Sequence, residues 1–438
     1  MSRDARAGAD RPLGRSGQPD RRLLPAPHPR LAGLFRALDE DGVTWCLLRG
    51  EAELAEPPGD VDLLVPREVL ARFRTAAERF DFMRVSAWGY GSHSFFVAYD
   101  VATDLWLKLD LVTELAFGPN YELATGAEAE CLARRRRVGA VWLLCEDDAF
   151  WTLLLHRIID KSGVDARDAA RLPVLAEAAR TDGTLARLAD SLCPPHWSAS
   201  RLVATAKGRD WASLVGLGPA LAETWRKGQG RDARRRAVVN MAHRWSGKAL
   251  HPSKRRGLTV ALLAPDGAGK STLGYALERS FYFPVRVITM GLYRAPRPGT
   301  IRRVRGIGFT GQLLNQWKGW LRGSYHRRRG RLVLFDRYPY DALLPTRFRY
   351  DRLGQARRWL LAHACPAPEL VMLLDAPGEV LYARKGEKTL ELLERQRKAY
   401  RALLPVLPRA VVVDASRDAE EVRREVTRLI WRRYLRSG

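Results

Sequence analysis

The stretch that most constrains this chain is Ala264-Pro265-Asp266-Gly267-Ala268-Gly269-Lys270-Ser271-Thr272, set between the apolar run Leu258–Leu263 and a helical pattern that opens at Leu273. A buried parallel strand, a glycine-rich turn and a helix N-terminus aim backbone N–H groups and a positive dipole end at one point. The stretch therefore reads as a phosphate-binding loop. In that reading Lys270 reaches the β/γ-phosphates of ATP and the Ser271 hydroxyl ligates Mg²⁺, while Asp266, Gly267, Ala268, Gly269 and Thr272 complete the cradle. Ala264 holds the first glycine position of G-x-x-x-x-G-K-[ST], so a small Cβ has to be tolerated where the strand turns.

A chain of 438 residues exceeds one ordinary core and implies two or three domains, which a hydrophobic fraction of 46% can fill. A formal charge of +25 attracts phosphates, nucleic acid or acidic membrane surfaces. Arginine recurs in nearly every segment, however, and that dispersion favours solvated basic faces over a DNA or RNA surface. The five cysteines, Cys46, Cys131, Cys145, Cys193 and Cys365, show neither metal spacing nor a disulfide framework, which implies a reducing, cytoplasmic setting. No apolar run approaches the roughly 20 residues of a membrane helix. Residues 1–28 mix Arg, Asp, Gly and Pro and are expected to be a disordered tail.

Residues 29–140 are expected to form an α+β domain. A helix through Leu31, Leu34, Phe35 and Leu38 leads to a strand at 43–48, and a second strand follows at Asp60–Val65. Period-two alternation puts Asp60 and Asp62 on one face and Val61 and Leu63 on the other. A helix at 67–80 and strands at 83–88 and 94–99 come next. The strand Leu105–Val112 then sets Asp110 and Lys108 opposite Leu107, Leu109 and Leu111. Neighbouring carboxylates repel, and a divalent cation is the usual way to hold them together; the alternative is a set of solvated acids.

This order resembles the nucleotidyltransferase fold of the DNA polymerase β-like superfamily, carried by Gly50, Asp60-Val61-Asp62 and Asp110. The resemblance implies that Asp60, Asp62 and Asp110 are metal ligands for Mg²⁺ in a transfer from a nucleoside triphosphate. Where that family has Gly-Ser this chain has Gly50-Glu51, and a carboxylate there repels phosphate. An active transferase and a retained fold with altered catalysis both stay open.

From 141 to 256 the pattern turns helical, with Phe150, Leu153, Leu154 and Ile158 and then Leu172, Leu175 and Ala176 at helical spacing. His156 reads as a packed or surface residue, and Asp160-Lys161 and 165–171 as solvated positions. The basic run from Arg226 to Arg256, with Pro252, reads as a linker.

Residues 257–438 are expected to form an α/β domain with a parallel sheet. Strands at 285–290, 331–335, 370–374 and 410–414 follow the loop, while the Arg-, Gly- and Trp-rich stretch 291–330 is unassigned. Asp336-Arg337-Tyr338 falls at a strand's C-terminal end, where open parallel sheets bind ligands. Asp336 there can position Mg²⁺ and its waters, and Arg337 can fork onto a phosphate. Asp375 ends the next strand, with Arg384, Lys385, Glu387, Arg395, Arg397 and Lys398 beyond it.

This combination resembles the thymidylate kinase-like branch of the P-loop nucleoside monophosphate kinases. It is carried by Pro265–Thr272, Asp336-Arg337-Tyr338 and Leu374-Asp375-Ala376-Pro377 with Arg384 and Glu387. The resemblance implies phosphoryl transfer from ATP to a small anionic or hydroxylated acceptor. Asp266 and Asp336 then serve the metal and acceptor side, Arg337 the acceptor phosphate, and Arg384 or Arg395 a lid. The added Tyr340 and Asp341 depart from the pattern and leave the acceptor open. The rival class is an ATP-switched regulatory or nucleic-acid-binding protein.

Overall fold

A computed structural model describes residues 24–85, 91–249, 257–290, 307–345 and 351–436. Of the tail expected at 1–28, residues 1–23 lie outside the described residues, as do the end of the strand expected at 83–88, residues 250–256 of the expected linker and the stretch 291–306. Residues 24–28 are described, and there the tail reading does not hold: His28 is buried and caps the helix Pro29–Glu40, its ring accepting from the Arg30 amide.

The N-terminal strands are β1 Cys46–Leu47, β2 Asp60–Leu64, β3 Met83–Arg84, β4 His93–Asp100, β5 Leu105–Val112, β6 Ala116–Phe117, β7 Leu123–Ala124, β8 Arg136–Val138 and β9 Val141–Leu143. Seven of them form a mixed sheet in the order β3-β4-β5-β2-β1-β9-β8, in which β2 and β5 run parallel with Asp62 opposite Asp110. Alternation divides the two faces. Val61, Leu63, Leu107, Leu109 and Leu111 pack under the helices Pro29–Glu40 and Leu70–Arg79. Asp60, Asp62, Lys108 and Asp110 share the other face.

Along that second face β5 presents Trp106, Lys108, Asp110 and Val112 in turn. Val112 and Leu64 join the core of the following helices through Phe150, Leu154 and Ile158. Trp106, Tyr99 and Val97 join the core of the C-terminal half. The Trp106 indole donates to the Ser280 carbonyl at 3.0 Å and meets Phe281 and Trp431 edge-on, and buried Arg423 pairs with Asp104. The carboxylates therefore lie between two docked apolar layers.

Two expected boundaries move. β9 pairs in parallel with β1, so the first sheet extends past 140 and the helical region starts at Glu146. Arg226–Ala249 is no linker: it continues the helix Trp211–Ala249, kinked at Gly230 (φ 46°, ψ −112°). Its charge disguises a packed surface, because Trp225 and Ala233 are buried, Arg226 pairs with buried Glu122, and Asn240 donates to the Asn120 carbonyl.

The C-terminal half is a five-stranded parallel sheet of β10 Leu258–Leu263, β11 Val285–Thr289, β12 Leu332–Asp336, β13 Leu370–Asp375 and β14 Ala410–Asp414, ordered β11-β12-β10-β13-β14. All six residues of β10 are buried, as a central parallel strand covered on both faces requires. Val260 and Leu262 pack on Leu273, Leu277, Val426 and Ile430, while Ala261 and Leu263 pack on Val333, Phe335, Tyr338 and Tyr400. The stretch left unassigned in the sequence contains the helix Ile307–Arg328. Chain order reverses at β10, so the ends of β10, β12 and β13 open one crevice.

Candidate functional site

The crevice is built first by the turn leaving β10. Ala264 and Pro265 are buried where the strand ends, so the alanine in the first glycine position is accommodated. Gly267 sits at φ +87°, and a Cβ there would come 2.8 Å from the Leu381 carbonyl oxygen. Gly269, at φ +84°, caps the helix Lys270–Ser280 without a side-chain hydrogen bond. The first amides of that helix have no intrahelical partner, and exposed Ser271 and Thr272 stand beside them.

The Lys270 ammonium donates to the carbonyls of Ala264 (2.9 Å) and Pro265 (3.0 Å). Burial first, and then the neighbouring Arg337 charge, hold its pKa below the ordinary lysine value. A desolvated cation beside another cation gains from an arriving anion.

β12 delivers Asp336 opposite Leu262, and its buried Oδ1 is left without a hydrogen-bond partner. Arg337 follows in the left-handed region (φ 67°), a conformation that costs a non-glycine residue on the order of 1 kcal/mol. Its guanidinium donates to Asp266 Oδ1 at 2.9 Å, and Lys388 Nζ donates to Asp266 Oδ2 at 2.6 Å. Burial works to raise Asp266; the Lys388 hydrogen bond and charge, with Arg337 and Lys270, outweigh it and hold the carboxyl below the usual range. Burial pushes Asp341 up to about 6, against the pull of the Tyr400 hydroxyl, which donates to it at 3.1 Å, and of Arg337 and Lys270.

Asp266, Arg337, Asp341, Lys388 and Tyr400 line a cavity of about 270 Å³ with Arg395, Gln396, Leu344 and Leu392. On the other flank of the loop, Ala268, Thr272, Ala276, Leu374, Arg384, Ala415, Arg417 and Val422 line a second cavity of about 200 Å³. Ser271, exposed at the helix start, and Asp336, with its orphaned oxygen, are the groups here that could hold Mg²⁺ beside a polyphosphate.

Two expected placements are redrawn, and Arg384 is not one of them. It lines the second cavity beside the loop and donates to the carbonyls of Ala415 (2.7 Å), Ser416 and Arg417 on its rim. Asp375 is engaged by Arg397 through both its oxygens and by Arg401, which removes that acid and Arg397 from the crevice chemistry. Arg395 does line the first cavity. Lys388, Gln396 and Tyr400 were not singled out by sequence; Lys388 lies only four residues past Arg384 in the same basic run.

The N-terminal carboxylates are arranged differently. They line a cavity of about 650 Å³ with Arg49, His93, Phe95, Tyr121, His156, Arg157, Lys161 and Arg171. Each acid has a protein cation or imidazole on it: Lys108 on Asp60 (2.8 Å), Arg49 on Asp62 (2.7 Å) and His93 on Asp110 (2.9 Å). Burial raises the Asp62 pKa, with Arg49 opposing and Asp110 reinforcing. Among the described residues no group of three His, Cys, Asp or Glu is placed to hold a metal ion. As arranged, Asp60, Asp62 and Asp110 do not fit Mg²⁺. Glu51 is taken up by Arg171 and Glu53 by Arg167 from the helical layer. His156 is the packed residue of the two readings left open, and Asp160 is no solvated position: they pair at 3.0 Å in the π-helical turn His156–Asp160 on the cavity wall, and burial lowers the His156 pKa.

No protein-family model matches the chain. Over 111 residues it is 30% identical to a probable thymidylate kinase of Thermococcus gammatolerans, a stretch amounting to 23% of this chain and 51% of that one. The chain thus spans about half the length of the curated relative it matches. Among solved structures, the thymidylate kinase of Candida albicans aligns over 41% of this chain and 93% of its own at 18% identity and a TM-score of 0.33. A deoxyadenosine kinase of M. mycoides with bound dATP aligns over 40% and 99% at 13% identity and a TM-score of 0.28.

Proposed function

We propose that the C-terminal half transfers the γ-phosphoryl group of ATP to a small phosphorylated or hydroxylated acceptor. The observation that carries this reading is the convergence of desolvated Lys270, the orphaned Asp336 oxygen and the Arg337–Asp266–Lys388 chain at one sheet edge, between two cavities. The local similarity to a probable thymidylate kinase supports a nucleotide-kinase-like reaction.

In this reading the cavity of Ala276, Leu374 and Val422 takes the base of the donor, and the phosphates lie along the loop. Lys270 exchanges two backbone carbonyls for β/γ-phosphate oxygens. Ser271 and Asp336 would hold Mg²⁺ there, and the ion would supply charge neutralisation for the transferring group. Arg337 and Arg395 draw the acceptor's anionic end into the cavity on the other flank. Asp341, steadied by Tyr400, takes the proton of a hydroxyl acceptor when the acceptor is one. Positioning and electrostatics, rather than covalent chemistry, account for the rate.

The N-terminal module, in the same reading, keeps its sheet with Asp60 and Asp62 paired to Lys108 and Arg49 and Asp110 bonded to the His93 imidazole. All five cysteines are free, which supports a cytoplasmic setting. The test is transfer of labelled γ-phosphate to a panel of nucleoside monophosphates, sugars and sugar phosphates, run with the wild type and Lys270→Ala. The reading fails where no acceptor is labelled above the variant.

A further inference from the structure

The helix Ile307–Arg328 lies outside both sites and turns two unlike faces outward and inward. Inward, Phe309 and Leu313 pack toward Leu361 and Ala362, Gln316 is buried, and a Cβ on Gly323 would come 2.5 Å from the Phe335 ring. Outward, at spacings of three, four and four, stand Leu314 (61% exposed), Trp317 (44%), Leu321 (54%) and Tyr325 (53%). Lys318 and Arg322 flank this stripe. The neighbouring helix Arg352–Ala362 adds exposed Leu353, Trp359 and Leu360. Neither helix contains an Asp or Glu, and in sequence the whole stretch 291–330 has none.

We propose that this face docks on an anionic membrane surface. Leu314, Trp317, Leu321 and Tyr325 enter the headgroup–acyl boundary, and Lys318 and Arg322 meet lipid phosphates. Charge selects this occupant. A two-fold contact between copies would lay the same acid-free basic patch on itself, with nothing to compensate the repulsion. A nucleic acid would satisfy the cations but leave Leu314, Leu321, Leu353 and Leu360 in water, whereas a bilayer interface takes leucine, tryptophan and cations together. No described helix is long and apolar enough to cross a membrane, so the attachment is to one surface.

The test is co-sedimentation of the full chain with phosphatidylcholine vesicles and with vesicles of about three parts phosphatidylcholine to one part phosphatidylglycerol. Binding is expected to be about tenfold stronger or more on the anionic vesicles and to weaken with salt. Trp317→Ser with Leu321→Ser, and Lys318→Glu with Arg322→Glu, are each expected to reduce it about tenfold with the melting temperature unchanged. Equal or absent binding to the two vesicle types overturns the proposal. So does binding that only the charge pair affects and that single-stranded RNA displaces, which would mark a nucleic-acid surface. A lipid-free dimer dispersed by the Trp317–Leu321 pair likewise overturns it in favour of self-association.

Discussion

Two clusters of acids face cavities in this molecule, and they differ in how much of their chemistry is already used. In the N-terminal cleft Asp60, Asp62 and Asp110 are each met by Lys108, Arg49 or His93. In the C-terminal crevice Asp266 is likewise met by Arg337 and Lys388, but Asp336 keeps an oxygen without a partner and Lys270 rests on two backbone carbonyls rather than on an acid. Both sets sit where their sheets position reactive groups. The difference teaches that placing carboxylates on one sheet face does not make a metal site; what the neighbouring residues do with the charge decides it.

The largest effect that sharpens the contrast is expected from Lys270→Ala, which should lower γ-phosphate transfer by about 10³-fold or more. Asp336→Asn should follow at about 10²-fold, read as kcat, with folding unchanged. Arg49→Ala, in the other cleft, should cost about 2 kcal/mol of stability by stranding buried Asp62, seen in denaturant unfolding, while transfer stays within about twofold. A larger loss of transfer than of stability there would break the division between the two regions.

The smallest effect concerns Asp341, which faces Tyr400, Arg337, Lys270 and Asp336. Its folded pKa, about 6, lies above its unfolded value, so the stability it contributes is full at low pH and is lost as pH rises through about 6. Asp341→Asn should therefore raise stability by about 1–2 kcal/mol above about pH 7, a gain that shrinks toward about pH 4. Unfolding curves at the two ends of that range check the sign.

The C-terminal architecture was legible because buried parallel strands write themselves as continuous apolar runs, and β10, β12 and β13 do; β14 carries the same apolar run at the sheet edge with only Val413 buried. Asp336-Arg337 was legible from its place at a strand end. Lys388 was not, because only its distance to Asp266 separates it from the other cations of its run. The faces of β2 and β5 followed from period-two alternation, yet Arg49 and His93 come from other elements, and no spacing links them to Asp62 and Asp110. Arg226–Ala249 looked like a linker because charge density conceals a face that docks on Glu122 and Asn120.

Calorimetric titration of the full chain with ATP and Mg²⁺ weighs the two clusters most directly. One nucleotide per chain is expected, abolished by Lys270→Ala and indifferent to Asp60→Ala with Asp62→Ala. Binding that survives Lys270→Ala and disappears with the paired aspartate variant would place the nucleotide in the N-terminal cleft and contradict the distinction drawn between spent and unspent charge.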